Sequence, residues 1–310
     1  MPENPHPKLL DRQEAIDLVN QHFRPQLDLL TEMTNFSSNL ITRAFASSEK
    51  KLHDVVMCFS LLKQFATMLD GIDILARQGA VHAAFSPARV AFEVSLYIEW
   101  MLVSDLEKKA LYYFVGSLRE ERLWGLRVQS ATLEGSGFLK EMGQIGSDIL
   151  TGRPTLDAEG TKYVSEVDSI LGRPEYSSIS AEFEQFKKKH KISYEPSWHK
   201  VLGVTAKGIA KQLQRLPDYN VYYSVGSRVV HSSSYKDHLK FTRAGAHAHP
   251  IRYIADLGTL LNFAFTSAML VFLRVLGYYR NDELPRFGQR YVDEWRAAFT
   301  NIPSVKFVGK

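Results

Sequence analysis

The densest gathering of chemically capable side chains in this sequence is the stretch Tyr219 to His238, YNVYYSVGSRVVHSSSYKDH. It combines aromatic rings, hydroxyls, a cation and an imidazole. Arg228 and His231 lie three residues apart, which on a helix makes them neighbours on one face, about 5–6 Å apart at Cβ. A single bound group could touch both. A guanidinium offers a fixed fork of donors that suits phosphate or carboxylate, and an imidazole gains or loses a proton near neutral pH. The pair therefore has the composition of a phosphate-handling site. In a metal-free RNA cleavage, His231 would accept the proton of the ribose 2′-hydroxyl and Arg228 would stabilise charge on the phosphorane-like transition state. Arg89 would serve as a second cation, and Ser227 or Tyr223 as orienting donors. The structural alternative is that His231 caps its helix and turns inward while Arg228 pairs with a carboxylate such as Glu93.

Other chemistries have less to stand on. His247 and His249, with His238 and Asp237 a short loop away, supply imidazoles and a carboxylate of the kind that suits Zn, Mn or Fe. Nothing in the spacing fixes their geometry, and a loop with Ala and Gly between its histidines is more often plain solvent-facing chain, so no metal is expected. There is no Gly-rich phosphate loop, no GxSxG elbow and no HExxH helix, which disfavours the common nucleotide hydrolases, α/β-hydrolases and zincins. No cofactor is called for. The single cysteine, Cys58 in VVMCFSLL, excludes an intramolecular disulfide and reads as a small buried hydrophobe rather than a nucleophile.

The elements that must position these residues are helical. At 310 residues, the chain suffices for one large domain or a domain with a sizeable insertion. A content of 45% hydrophobic and 23% charged residues is ordinary globular usage. The net charge of +4, from 38 Lys and Arg against 34 Asp and Glu, is too small to argue non-specific nucleic-acid binding. The N-terminus lacks the apolar core of a secretory signal, so a cytoplasmic location is expected.

After a proline-rich leader at 1–8, helical periodicity begins at Leu9, with Asp11 as N-cap and Pro25 expected to break or kink the helix before it resumes over Leu27 to Phe45. Lys50 to Gln78 reads as one long helix closed by Gly79, with Val55, Val56, Phe59, Leu62, Phe65 and Leu69 among its buried residues. The helix from Pro87 to about Ser104, PARVAFEVSLYIEWMLVS, is apolar nearly all round and so must be enclosed by others. Its Arg89 and Glu93 are four apart and can pair along the helix; Glu99 stands separate from them. The pair either fixes packing or lines a pocket shared with Arg228 and His231. Leu106 to Gln129 follows, with Leu111, Tyr112, Val115, Leu118, Leu123 and Trp124 as its expected core face.

From 135 to 196 glycines and prolines multiply, and the segment reads as a helical insertion between an N-terminal half (9–134) and a C-terminal half (197–280). Its run FKKKHK, at Phe186 to Lys191, reads as a solvated face. Trp198 to Gln214 is helical, Pro217 breaks it, and FTRAGAHAHP reads as a loop. Leu257 to Val275 has about the length of a membrane span, but the stripe Thr259, Asn262 and Thr266 and the interrupting Arg274 make it a bundle helix whose polar residues need partners inside. No membrane association is expected. The tail, 281–310, carries one short helix, Arg290 to Phe299. No segment alternates as a strand should.

The stretch LLKQFATMLDGIDILARQGAVHAAFSPARVAFEVSLYIEW resembles the first half of a bacterial helical family of unknown function, marked by Arg-x-x-x-Glu on a buried helix. Here that motif is Arg89 and Glu93. The second half of that family has a Ser-x-x-x-His motif, then a proline-bearing loop and a long apolar helix, which Ser227 to His231, Pro250 and the helix to Tyr279 resemble. The family in turn is distantly similar to the HEPN superfamily, whose members include metal-independent ribonucleases of toxin and anti-phage systems and non-catalytic nucleotide-binding or scaffold domains. Active members carry Arg, four to six residues, then His, on a helix that meets its copy across a dimer. This sequence departs from that pattern, with two residues between Arg228 and His231. The family spacing occurs instead at Arg77 to His82 and at Arg243 to His249, each interrupted by Gly. The resemblance implies an all-α, multi-helix bundle with a helical insertion between two halves. It implies an RNA-directed protein that works as an endoribonuclease of a toxin or defence module, as a homodimer. The alternative is a non-catalytic interaction or ligand-sensing bundle that keeps a polar pocket.

Overall fold

A computed structural model of the chain describes residues 10, 12–144, 153–233, 238–242 and 245–305. The leader 1–8 and the Asp11 cap lie outside those residues. The described chain is an all-α, multi-helix bundle with one small hairpin. It forms two compact units, one from Met1–Asp105 with Ala206–Lys310 and the other from Leu106–Thr205.

In the first unit, α1 spans Arg12–Ala46 and runs straight past Pro25, where a break was expected. A proline in a helix interior costs about 3 kcal/mol. The burial stripe keeps its phase on both sides of it, from Val19 and Phe23 to Leu27, Leu30 and Met33, so packing outweighs that cost. Helix α2, Leu52–Arg77, contains a π-helical segment at Val56–Leu62. The wider turn rotates the apolar stripe. Val55 and Phe59, expected inside, are 39% and 43% exposed, while Met57, Cys58 and Leu61 are buried. Burial, and after it the nearby Asp54 carboxylate, pushes the Cys58 thiol up to about 12, as befits a core residue. Gly79, at φ +66°, ends the helical path as expected. Helix α3, Val81–Val103, starts six residues before the expected Pro87, which sits inside it.

The second unit holds α4 (Leu106–Arg127), α5 (Leu133–Gln144), α6 (Arg153–Leu171), α7 (Pro174–His190) and the short α8 (Trp198–Val201). The buried face of α4 is built from the small Ala110, Gly116 and Gly125 as well as from Leu106, Tyr112, Val115 and Leu118. Gly116 admits the Phe183 ring of α7 and Trp198 of α8. Trp124, expected on the core face, lies outside it, 56% exposed, with the Arg127 guanidinium 4.6 Å from its ring centre. The FKKKHK run closes α7, where cations complement the C-terminal end of the helix dipole. Lys187 there reaches Glu195 at 2.7 Å.

The chain returns to the first unit with α9 (Ala206–Gln212) and the helical turns Leu216–Asp218 and Tyr219–Tyr223, which lead without a break into α10 (Ser224–His231). Pro217 thus begins helical structure rather than ending it, because at a first-turn position its missing N–H costs nothing. The expected loop contains two strands, β1 (Leu239–Thr242) and β2 (Gly245–Ala248), paired antiparallel with Leu239 opposite Ala248 and Lys240 opposite His247. Four residues are too few for alternation to show in sequence.

Helix α11, Leu257–Tyr279, packs against α1 and α3. Its Thr259 and Asn262 face outward rather than inward, and Asn262 meets the Tyr222 hydroxyl at 3.3 Å. The tail is helical over most of 281–300, through α12 (Leu284–Arg290), a π turn at Tyr291–Trp295 and α13 (Arg296–Thr300), where one short helix was expected. Trp295 is fully buried, with the rings of Phe36 on α1 and Phe287 on α12 each at 5.6 Å.

Two predictions follow from this packing. Trp295→Ala should destabilise the protein by about 3–5 kcal/mol in urea denaturation, since it empties a site closed on all sides; a change below 1 kcal/mol would mean that the tail is not part of the core. By length and composition alone, α2 and α11 could each cross a membrane. Because 61% of the apolar window of α11 is already buried within the fold, the protein should stay in the supernatant after a carbonate wash.

Candidate functional site

Helix α10 is held against α3 by its one buried residue, Gly226. A Cβ there would stand 2.5 Å from Cβ of Arg89 and 2.9 Å from the Phe85 carbonyl, so no larger side chain fits without moving α10 off α3. The helix ends at Ser232, in the left-handed region at φ 48°, with the Ser233 N–H donating back to the Arg228 carbonyl at 3.1 Å. This anchoring divides the residues singled out in sequence between two faces of α10.

The inner group sits between α3 and the turn before α10. Arg89 Nη2 donates to the Tyr223 hydroxyl at 2.9 Å, and the same guanidinium lies 4.6 Å from the Tyr223 ring centre. Tyr223 stacks on Tyr219 at 4.5 Å and 12°. Glu93 accepts a hydrogen bond from the Tyr97 hydroxyl at 2.8 Å. The expected Arg89–Glu93 ion pair is absent among the described residues, because each finds a tyrosine first. Nε of Arg89 is buried without a hydrogen-bond partner. Burial, and next the Glu93 charge, raises the Tyr97 hydroxyl above the ordinary tyrosine range, and burial does the same for Tyr219. Both remain neutral donors at physiological pH.

The ion pair that α3 does require involves Glu99, 2% exposed. Its partner is Arg215, which also donates to Ser95 Oγ at 3.0 Å and to Asp218 Oδ2 at 3.0 Å and stands over the Phe92 ring at 4.9 Å. Desolvation raises the Glu99 carboxyl, and Arg215 opposes that shift. The sequence signal was a lone carboxylate in the apolar run YIEWML. Its partner lies 116 positions away, beyond the reach of any local pattern. The second unit hides a similar group that sequence reasoning missed. Arg119, 8% exposed, holds Glu195 through two bonds of 2.8 and 3.1 Å, with Glu184 and Ser180 completing its shell.

The outer group is Arg228 and His231. Both are exposed, and neither side chain has a partner among the described residues. The inward His231 and the Arg228–Glu93 pair, the structural alternative, are not formed. Ser227 is half-buried between the two faces. Chemically, the outer face offers a fork of donors and an imidazole to any ligand that approaches from solvent.

Beside α10 lies a cavity of about 230 Å³ lined by residues of α3 and α10, by His238 and His249 at the two ends of the hairpin, and by the segment that leads into α11. The His82 and His238 rings meet edge to face at 4.8 Å at its wall, and His249 meets Tyr253 at 4.5 Å. His238 and His249 are joined through backbone, the His249 N–H donating to the His238 carbonyl at 2.8 Å. The weak metal alternative, His247, His249 and His238, gains nothing from this, since the two described rings each face a different aromatic partner. Among the described residues no group of three or more His, Cys, Asp or Glu could hold a metal. Of the two matches to the ribonuclease spacing, Arg77 is committed to Asp73 at 2.8 Å and to the Leu27 carbonyl and Thr31 hydroxyl of α1, each at 2.7 Å. The other match begins at Arg243, outside the described residues.

A family model matches residues 55–246, more than half of the chain. The chain belongs to DUF5677, a family of unknown function. The DUF5677 match includes Arg89, Glu93, Tyr223, Ser227, Arg228 and His231, and it also spans the middle segment 135–196. It stops before His249, α11 and the helical tail. No curated protein and no solved structure matches the chain.

Arg215→Ala should destabilise this DUF5677 member by about 3–5 kcal/mol, because it strands Glu99 in the interior. Arg89→Ala should cost less, since Glu93 keeps its bond from Tyr97. Thermal or urea unfolding of the two variants side by side checks the order, and the reverse order would restore Arg89 as the buried ion-pair residue.

Proposed function

We propose that this chain is a HEPN-like, RNA-directed protein acting in the cytoplasm as a metal-independent endoribonuclease of a toxin or anti-phage defence module. One observation carries the reading: Arg228 and His231 share a solvent-facing side of α10 without protein partners among the described residues, free to engage a ligand. In the reaction, the imidazole of His231 takes the proton of a ribose 2′-hydroxyl. The 2′-oxygen attacks the adjacent phosphorus, the P–O5′ bond breaks, and the 5′-oxygen takes up a proton, leaving a 2′,3′-cyclic phosphate. Arg228 neutralises charge on the non-bridging oxygens as the phosphorane forms. A homodimer that sets two copies of α10 face to face would supply a second imidazole as the acid. Arg89 and Tyr223, on the inner face, act as positioning residues for α10 rather than as a second cation and a donor at the phosphate; Ser227 remains the orienting donor.

Purified protein should cut single-stranded RNA in EDTA and leave 2′,3′-cyclic phosphate ends. His231→Ala and Arg228→Ala should each lower the rate by about 10²-fold or more, and both should keep the helical circular dichroism, because both side chains are exposed. Activity that survives both changes, or that requires a divalent metal, overturns the assignment.

A second reading, a non-catalytic ligand-sensing or interaction bundle with a polar pocket, is favoured by the cavity beside α10 and by the buried, unpaired Nε of Arg89 on the inner side of that helix. A small ligand that raises the melting temperature of a protein inert towards RNA would select it.

A further inference from the structure

The cavity and the outer face of α10 are adjacent parts of one surface. Successive residues of a helix turn by about 100°. Val225 and Val229 of α10 line the cavity, so Arg228 projects about 60° around the helix from Val225, at the cavity edge. A nucleotide held at its phosphate by Arg228 can turn its base towards this cavity, which begins at the next face of the same helix. We infer that the cavity receives one unpaired guanine of the RNA, an inference that rests on the ribonuclease reading and names the base selected at that site.

The lining suits a flat heteroaromatic ring. Its apolar portion comes from Val81 and Phe85 of α3 with Val225 and Val229 of α10. The imidazoles of His82, His238 and His249, with the Tyr253 ring, supply the aromatic surfaces on which unpaired RNA bases stack. An apolar cavity of about 150 Å³ admits benzene; at about 230 Å³ this one has room for a larger, bicyclic ring.

The choice of base follows from one charge. Asp256, at the start of α11, lines the cavity, is exposed, and has no side-chain partner among the described residues. An ionised carboxylate only accepts hydrogen bonds, through two oxygens side by side. Guanine presents two adjacent donors on its pairing edge, the ring N–H and the amino group. Adenine, cytosine and uracil each place an acceptor beside their single donor position on that edge, which would face a carboxylate oxygen repulsively. The larger groove, about 1070 Å³, is lined by α1 and the tail and includes no residue of α10. Its Arg43, Arg280 and Arg290 are already bonded to Glu283, Glu32 and Glu294.

The test titrates the full chain with 5′-GMP, AMP, CMP and UMP by calorimetry and, separately, maps the cleavage ends of random-sequence single-stranded RNA. GMP should bind at least about tenfold more tightly than the other three. Asp256→Asn should remove that margin, weakening GMP and relieving the repulsion that AMP meets, and Val229→Trp, which fills the cavity, should weaken all four. Asp256 is exposed, so its variant remains informative even if Val229→Trp fails to fold. The double variant Arg228→Ala, His231→Ala should lose cleavage and keep the preference for GMP. Equal binding of the four nucleotides, no saturation at millimolar concentrations, or an unchanged GMP preference in Asp256→Asn overturns the guanine site. GMP selectivity in a protein that cuts no RNA keeps the site and removes the ribonuclease reading; metal-independent cleavage with no nucleotide preference does the reverse.

Discussion

A carboxylate buried on a helix that is enclosed by others must be answered from within the fold, and in the first unit the answer is Arg215 at Glu99. Helix α3 contributes buried residues on nearly every side, and at position 99 a charge has no route to water. Arg215 meets that demand from the segment between α9 and the turn at Leu216, and by bonding Ser95 and Asp218 as well it fixes where that segment crosses α3. The following turns, Leu216–Asp218 and Tyr219–Tyr223, start from that anchor. The entry of the chain into α10, and with it the starting point of Arg228 and His231, follows from this interior pair.

The second constraint is the absence of a side chain. Gly226 lets α10 approach α3 closely enough for Arg89 to reach Tyr223. That contact turns one face of α10 inward and commits Arg89 to an aromatic partner instead of to Glu93. It also leaves Arg228 and His231 facing water and places Val225 and Val229 over the cavity. A short helix of eight residues thus does three things with three faces. An inner face packs, a lateral one lines a hollow, and an outer one presents a cation and an imidazole.

Outside the span shared with its family, the chain adds packing that the first unit uses. The tail returns Trp295 and Phe287 to Phe36 on α1 and closes with the Gln26 side-chain amide donating to the Asn301 carbonyl at 3.0 Å. These contacts join positions more than 200 residues apart. They make α1, which begins before the family match, part of the same core as the helices that carry the site.

The helical class, the enclosure of α3, the core placement of Cys58 and the sharing of one α10 face by Arg228 and His231 were all legible in the sequence, because each depends on spacing within a few turns of one helix. What only the tertiary structure decided are the matters that depend on partners far away in the chain. Arg89 and Glu93 are correctly spaced to pair, yet tyrosines from α3 itself and from 134 positions further on take both. Pro25 and Pro217 carry strong local signals for a break, which burial of a continuous stripe overrides in the first case and a first-turn position makes harmless in the second. Val55 and Phe59 were placed inside by a period of 3.6, and the π segment changed that period. Trp124 belongs by spacing to the expected core face of α4, yet it stays 56% exposed, with the Phe138 ring of α5 at 6.4 Å and the Arg127 guanidinium beside it. The cavity itself brings together His82, His238 and Asp256 from three separate elements, and periodicity within one element carries no information about such a meeting.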